Sequence, residues 1–258
     1  MCDFTILCHA IGQEVHWHEP EMTIEMSALL ITAVVTGFLH TILGPDHYLP
    51  FIMISWARKW STIKTAFITF LCGLGHIGSS VVIGIVGVAL GLAVNKLEVW
   101  ESSRGSAAAW LLVAFGLAYF VWGIRQAYLK KTHTHSHHHT TGDDHEHEHS
   151  HDGQHSHLHL EAGKASVTPW VLFAIFVFGP CEVLIPELMY PAARGNMFGL
   201  VMVTLAFGIT TIATMLAVVM LARSGINFLP LSKLNRYSHA LSGFAILLCG
   251  LAIVLLGL

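Results

Sequence analysis

The sequence predicts an all-α integral membrane protein: six transmembrane helices in two inverted three-helix repeats, with broken first and fourth helices. Three observations predict it. First, the chain of 258 residues is 54% hydrophobic and 11% charged, whereas soluble domains carry about 25% charged residues. Second, its apolar runs reach the ~20 residues that a helix needs to cross a hydrocarbon core ~30 Å thick. Third, Gly-Pro interruptions recur at matching places in the two halves.

Residues 1–26 read as an external N-terminal segment. They lack the basic start and apolar core of a cleavable signal, and they contain Asp3, Glu14, Glu19 and Glu21. Cys8-His9 and His16-Trp17-His18 fit either an external metal-collecting segment or a plain solvated terminus. The first repeat, 27–128, holds spans at 27–56, 65–94 and 107–128, of which the first is over-long and interrupted. The second, 167–258, holds spans at 168–192, 198–221 and 239–258. Cys72, Cys181 and Cys249 fall in spans, so only Cys2 and Cys8 could pair in water, and no disulfide framework is expected.

Between the repeats, residues 129–166 have almost nothing apolar to bury and are expected to be disordered without a ligand. Here lie His133, His135, His137, His138, His139, His145, His147, His149, His151, His155, His157 and His159. Spaced mostly as H-x-H, these imidazoles give high local ligand concentration without fixed geometry, which suits metal capture or buffering. A pH-sensing role is the lesser alternative. His145 to His149 matches H-E-x-x-H only formally, because that motif needs a stable helix.

Counting Lys and Arg assigns ten to the face with loops 1–2, 3–4 and 5–6, and Lys96, Arg104 and Arg194 to the other. The positive-inside rule then places the His-rich loop in the cytoplasm, both termini outside, and the protein as multi-pass in the plasma (inner) membrane.

The first span contains Gly44-Pro45-Asp46-His47 and the fourth Gly179-Pro180-Cys181-Glu182. Gly116-Leu117-Ala118 in the third span is matched by Gly250-Leu251-Ala252 in the sixth. An odd number of spans per repeat inverts the second half, the plan of many transporters. Proline lacks an N–H and crowds the carbonyl four residues back, so Pro45 is expected to free the carbonyl of Thr41 and Pro180 that of Phe176. Broken backbone at membrane depth persists only where protein or water satisfies it. Paired breaks point to a transport site, though plain packing kinks are the bland alternative.

The candidate metal ligands are His40, Asp46, His47, His76, Cys181 and Glu182. Each intramembrane ionisable group costs about 2.5–3.5 kcal/mol on insertion scales, so such groups face a cavity and mark ion paths. Imidazole, carboxylate and thiolate are also transition-metal ligands. Taken singly, His76 fits a packing histidine and Cys181 a small buried hydrophobe. Glu182 fits a structural partner for an arginine, and Asp46 fits a carboxylate orienting a ligating histidine.

The stretch Gly37-Phe38-Leu39-His40, three residues, then Gly44-Pro45-Asp46-His47 resembles the nickel/cobalt transporter superfamily, nearest its urease-accessory UreH-like and nickel/cobalt efflux branch. The resemblance implies His40, Asp46 and His47 as metal-binding residues, six or more helices and, in efflux members, a His-rich cytoplasmic loop. The best-known nickel permeases have four residues between the histidine and Asp-His, where this chain has five, and more spans. The expectation is a non-enzymatic transporter with no prosthetic group. Its cargo would be nickel or cobalt, with zinc or iron as alternatives, and export is slightly favoured. Its partners would be the lipid bilayer and the metal ion, not nucleic acid, and a homo-oligomer is left open. The alternatives are a metal-related accessory membrane protein that does not transport, a zinc carrier of another family, and a membrane thiol–disulfide electron carrier. Some electron carriers also have inverted three-helix repeats with Pro-flanked cysteines in the first and fourth spans; here Cys181 fits but its counterpart is Asp46.

Overall fold

The structure, a computed structural model, describes residues 24–129, 167–181, 183–227 and 231–256. The N-terminal segment with Cys2 and Cys8, the His-rich tract from His133 to His159, and Glu182 lie outside the described residues. The described residues form eight α-helices: α1 Ile24–Leu43, α2 Leu49–Ala57, α3 Thr62–Ala89, α4 Val94–Leu129, α5 Val167–Phe178, α6 Leu184–Ala193, α7 Met197–Asn227 and α8 Ser238–Leu256. Short 3-10 turns at Pro45–His47 and Leu231–Tyr237 precede α2 and α8. Five helices are long and apolar enough to span a membrane, and α5 is a shorter apolar helix. This is a multi-pass membrane protein.

The sequence's first span is α1 and α2 around a break, and its fourth is α5 and α6 around another. Both α-helices stop before their Gly-Pro pair, so neither proline sits inside a continuous helix and crowds the preceding turn. The expected freed carbonyl at Phe176 is instead bonded by the Gly179 N–H at 3.0 Å. Both short helices end in the same kind of turn. Trp60 N donates to Ser55 O at 3.0 Å after Lys59 (φ 50°), and Asn196 N donates to Pro191 O at 2.9 Å after Gly195 (φ 65°). That 6→1 bond with a left-handed residue is a Schellman ending.

The third span begins earlier than expected, because α4 runs unbroken from Val94. Arg104, counted from sequence as a loop charge, stands inside α4 and pairs there with Glu101. Arg104 therefore leaves the loop count that argued orientation.

Helix boundaries repeat at a constant offset. Pro45 and Pro180, Leu49 and Leu184, and Thr62 and Met197 are each 135 residues apart. Packing repeats too: α1 lies along α7, and its counterpart α5 lies along α3. The central pair is α4 with α8, where small residues let backbones meet. A Cβ added at Gly116 or Gly123 would collide with the backbone of α8 near Leu247 or Ala240, and one at Gly243 with that of α4 near Phe120. Two apolar clusters flank the breaks. One gathers Phe51, Trp60, Leu172, Phe176, Met215 and Ile246; the other gathers Ala33, Leu184, Leu188, Val203 and Phe207 around Cys181.

Candidate metal centre

Four elements deliver the site. His40 stands in the last turn of α1, Asp46 and His47 in the 3-10 turn, His76 mid-way along α3, and Cys181 in the second break. Glycines clear the space. A Cβ on Gly44 would lie 2.6 Å from His47 Nδ1, and one on Gly179 would lie 3.1 Å from His76 Nδ1. Gly105 does the same for the second break, since a Cβ there would lie 2.7 Å from Pro180 Cγ.

His47 Nδ1 lies 3.1 Å from Asp46 Oδ1 and 3.1 Å from Gly44 O. With Nδ1–H donating to those oxygens, Nε2 keeps its lone pair, and it faces His76 Nε2 at 3.3 Å. Two nitrogens bound at about 2.0 Å to one tetrahedral ion lie about 3.3 Å apart. His40 Nε2 lies 3.8 Å from Cys181 Sγ; a nitrogen at about 2.0 Å and a sulfur at about 2.3 Å on such an ion lie about 3.5 Å apart. Ligand atoms of His40, His76 and Cys181 all fall within 4.8 Å of one another. The His40 and His47 rings meet edge-on at 4.6 Å between centroids. His47, His76 and Cys181 are buried.

His40, Asp46, His47 and His76 border a cavity of about 850 Å³ that Gly179 and Pro180 also line. The breaks the sequence matched therefore do face one another. Neither Asp46 nor His47 is among the three residues whose donor atoms converge; His47 Nε2 approaches that of His76, and Asp46 holds His47, as a carboxylate that orients an imidazole does.

Sequence reasoning missed the support beneath the second break. Glu101 is completely buried. Its Oε2 accepts from the Cys181 N–H and from Ser80 Oγ, each at 3.3 Å, and its Oε1 accepts from Arg104. Arg104 Nη2 donates to Ser79 Oγ (2.8 Å), Val177 O (2.9 Å) and Gly179 O (3.2 Å). Arg104 thus serves the carbonyls that the end of α5 leaves open, which backbone broken at membrane depth requires. An i,i+3 Glu–Arg pair beside an apolar run was the available signal.

Fold and site together define a polytopic helical membrane protein in which imidazole groups of His40 and His76 and the thiol of Cys181 come together beside two helix breaks. A family model described as cytochrome C biogenesis protein transmembrane region matches residues 49–252, and the chain belongs to that family. Neither a curated protein nor a solved structure matches the chain.

Proposed function

We propose that the protein moves a divalent transition-metal ion across the membrane, with His40, His76 and Cys181 as ligands and His47, held by Asp46, completing the set. The observation that carries the reading is the spacing: 3.3 Å between the Nε2 atoms of His47 and His76, and 3.8 Å from His40 Nε2 to Cys181 Sγ. Mixed nitrogen and sulfur donors suit nickel, cobalt or zinc better than calcium or magnesium. Nickel or cobalt is the cargo this reading names, in keeping with the sequence resemblance. The protein is read as a transporter rather than an enzyme. The common offset of 135 residues supports two inverted three-helix repeats, with α1–α2 and α5–α6 each crossing as one broken helix. Alternating access would come from one repeat rocking against the other. The cytoplasmic tract, external termini, inner-membrane location and a preference for export belong to the same proposal.

The family match favours a second reading, a membrane thiol–disulfide electron carrier. Cys181 directly follows Pro180 at a break, as that reading asks. Passing an electron pair through a disulfide needs a second sulfur, and Asp46 occupies the matching position. Cys72 and Cys249 lie in the core cluster around Phe51, apart from the one that holds Cys181.

Proteoliposomes separate the two. The expected result is uptake of nickel or cobalt ahead of zinc, iron and manganese, lost in His40→Ala and His76→Ala. If the parent carries none of the five metals yet reduces an external disulfide through Cys181, the electron-carrier reading replaces this one.

A further inference from the structure

Glu187 belongs to α6, about one turn past the second break, and is half-buried. Its Oε1 accepts a hydrogen bond from Thr36 Oγ1 of α1. Its Oε2 is shielded and has no hydrogen-bond partner among the described residues, and Glu187 forms no ion pair with a described residue. Thr36 lies one helical turn before His40, and both border the cavity. One face of α1 therefore presents His40 to Cys181 and, a turn away, Thr36 to Glu187. Farther along the same two helices, Arg194 pairs with Glu25 at an exposed end.

Packing does not demand a carboxylate here. At the 135-residue offset the counterpart of Glu187 is Ile52 and that of Thr36 is Val171, and both belong to one apolar cluster. The other half fills the equivalent place without a polar side-chain atom. An acid within a membrane-spanning domain is costly to insert and marks an ion path by default.

We propose that Glu187, assisted by the Thr36 hydroxyl, is a second and weaker station for the transported divalent cation, between the His/Cys cluster and the end of the helix pair marked by Glu25 and Arg194. The inference rests on the metal-transport reading. Oxygen donors hold nickel or cobalt less firmly than imidazole and thiolate do. An ion resting beside Glu187 can therefore move on, and conduction needs sites weak enough to leave.

The test uses the full chain, with nickel as the probe. Equilibrium nickel binding in detergent and nickel flux in proteoliposomes are measured for the parent, Glu187→Gln, Glu187→Asp and Thr36→Val. The expected result is parental binding at the high-affinity His/Cys centre in all, with the weaker second binding event lost and flux reduced about tenfold or more in Glu187→Gln, and smaller effects in the other two. Parental flux in Glu187→Gln overturns the second station and leaves the His/Cys centre standing. Loss of high-affinity binding together with flux in Glu187→Gln, repeated in Thr36→Val, assigns the pair a structural role and also overturns it. A parent that neither binds nor carries nickel overturns both this inference and the reading it rests on.

Discussion

The two breaks occupy matching positions, yet they are held in different ways. The first is supported from within: the His47 ring is bonded to Asp46 and to Gly44 O, all within four residues. The second takes its support from α4, where Glu101 holds the Cys181 N–H and Arg104 holds two carbonyls and Ser79. The cause lies in the side chains. Asp46 is its own break's hydrogen-bond acceptor, whereas its counterpart Cys181 is a weak hydrogen-bonding group that cannot stand in for one. A break that gains a thiol has to borrow its polar scaffold. The halves thus differ, the first supplying imidazoles from α1, a self-supporting turn and α3, and the second supplying sulfur on a supported break.

That difference can be broken deliberately. The largest effect is expected from Arg104→Met, which removes the cation paired with the buried Glu101 and opens the carbonyls of Val177 and Gly179. Removing one partner of a buried pair costs about 3–5 kcal/mol, to be measured as a lower unfolding midpoint in detergent. Arg104→Lys should fall between, since one ammonium cannot reproduce the guanidinium fork. Next is Cys181→Ser, which should leave the fold intact and weaken nickel or cobalt binding in titration calorimetry by more than the about 10–100-fold typical of lost supporting contacts. Asp46→Asn should cost about 10–100-fold in affinity through a misoriented His47, with stability nearly unchanged. A stability loss in Asp46→Asn as large as in Arg104→Met would erase the distinction between the breaks. The smallest effect is reserved for deletion of residues 133–159, which should shift the apparent affinity of transport while flux persists at saturating metal. Abolished flux would give the tract a larger part than capture.

Much of this architecture was legible because membrane insertion acts on simple patterns. Apolar length located five helices long enough to cross a membrane, though α4 begins before the expected span, and Gly-Pro pairs located both breaks. His40, His76 and Cys181 stood out as polar groups in apolar runs, and they converge. What escaped depended on tertiary pairing. Glu101 and Arg104 look like loop charges until α4 is seen to carry them under Pro180. Glu187 follows Pro186 in a stretch that reads as the end of a span, and only its approach to Thr36 distinguishes it. The role of Asp46 was legible as one of two readings, ligand or orienter of a histidine, and its 3.1 Å approach to His47 Nδ1 fits the second.

The central claim is that one ion binds nitrogen and sulfur together at the meeting of the two breaks. Loading the purified protein with cobalt(II) and recording its absorption spectrum tests this most directly. The account predicts a thiolate-to-cobalt charge-transfer band with tetrahedral ligand-field bands, the charge-transfer band vanishing in Cys181→Ser and the whole spectrum weakening in His40→Ala and His76→Ala. A parent spectrum without thiolate charge transfer, or one that Cys181→Ser leaves unchanged, would contradict it.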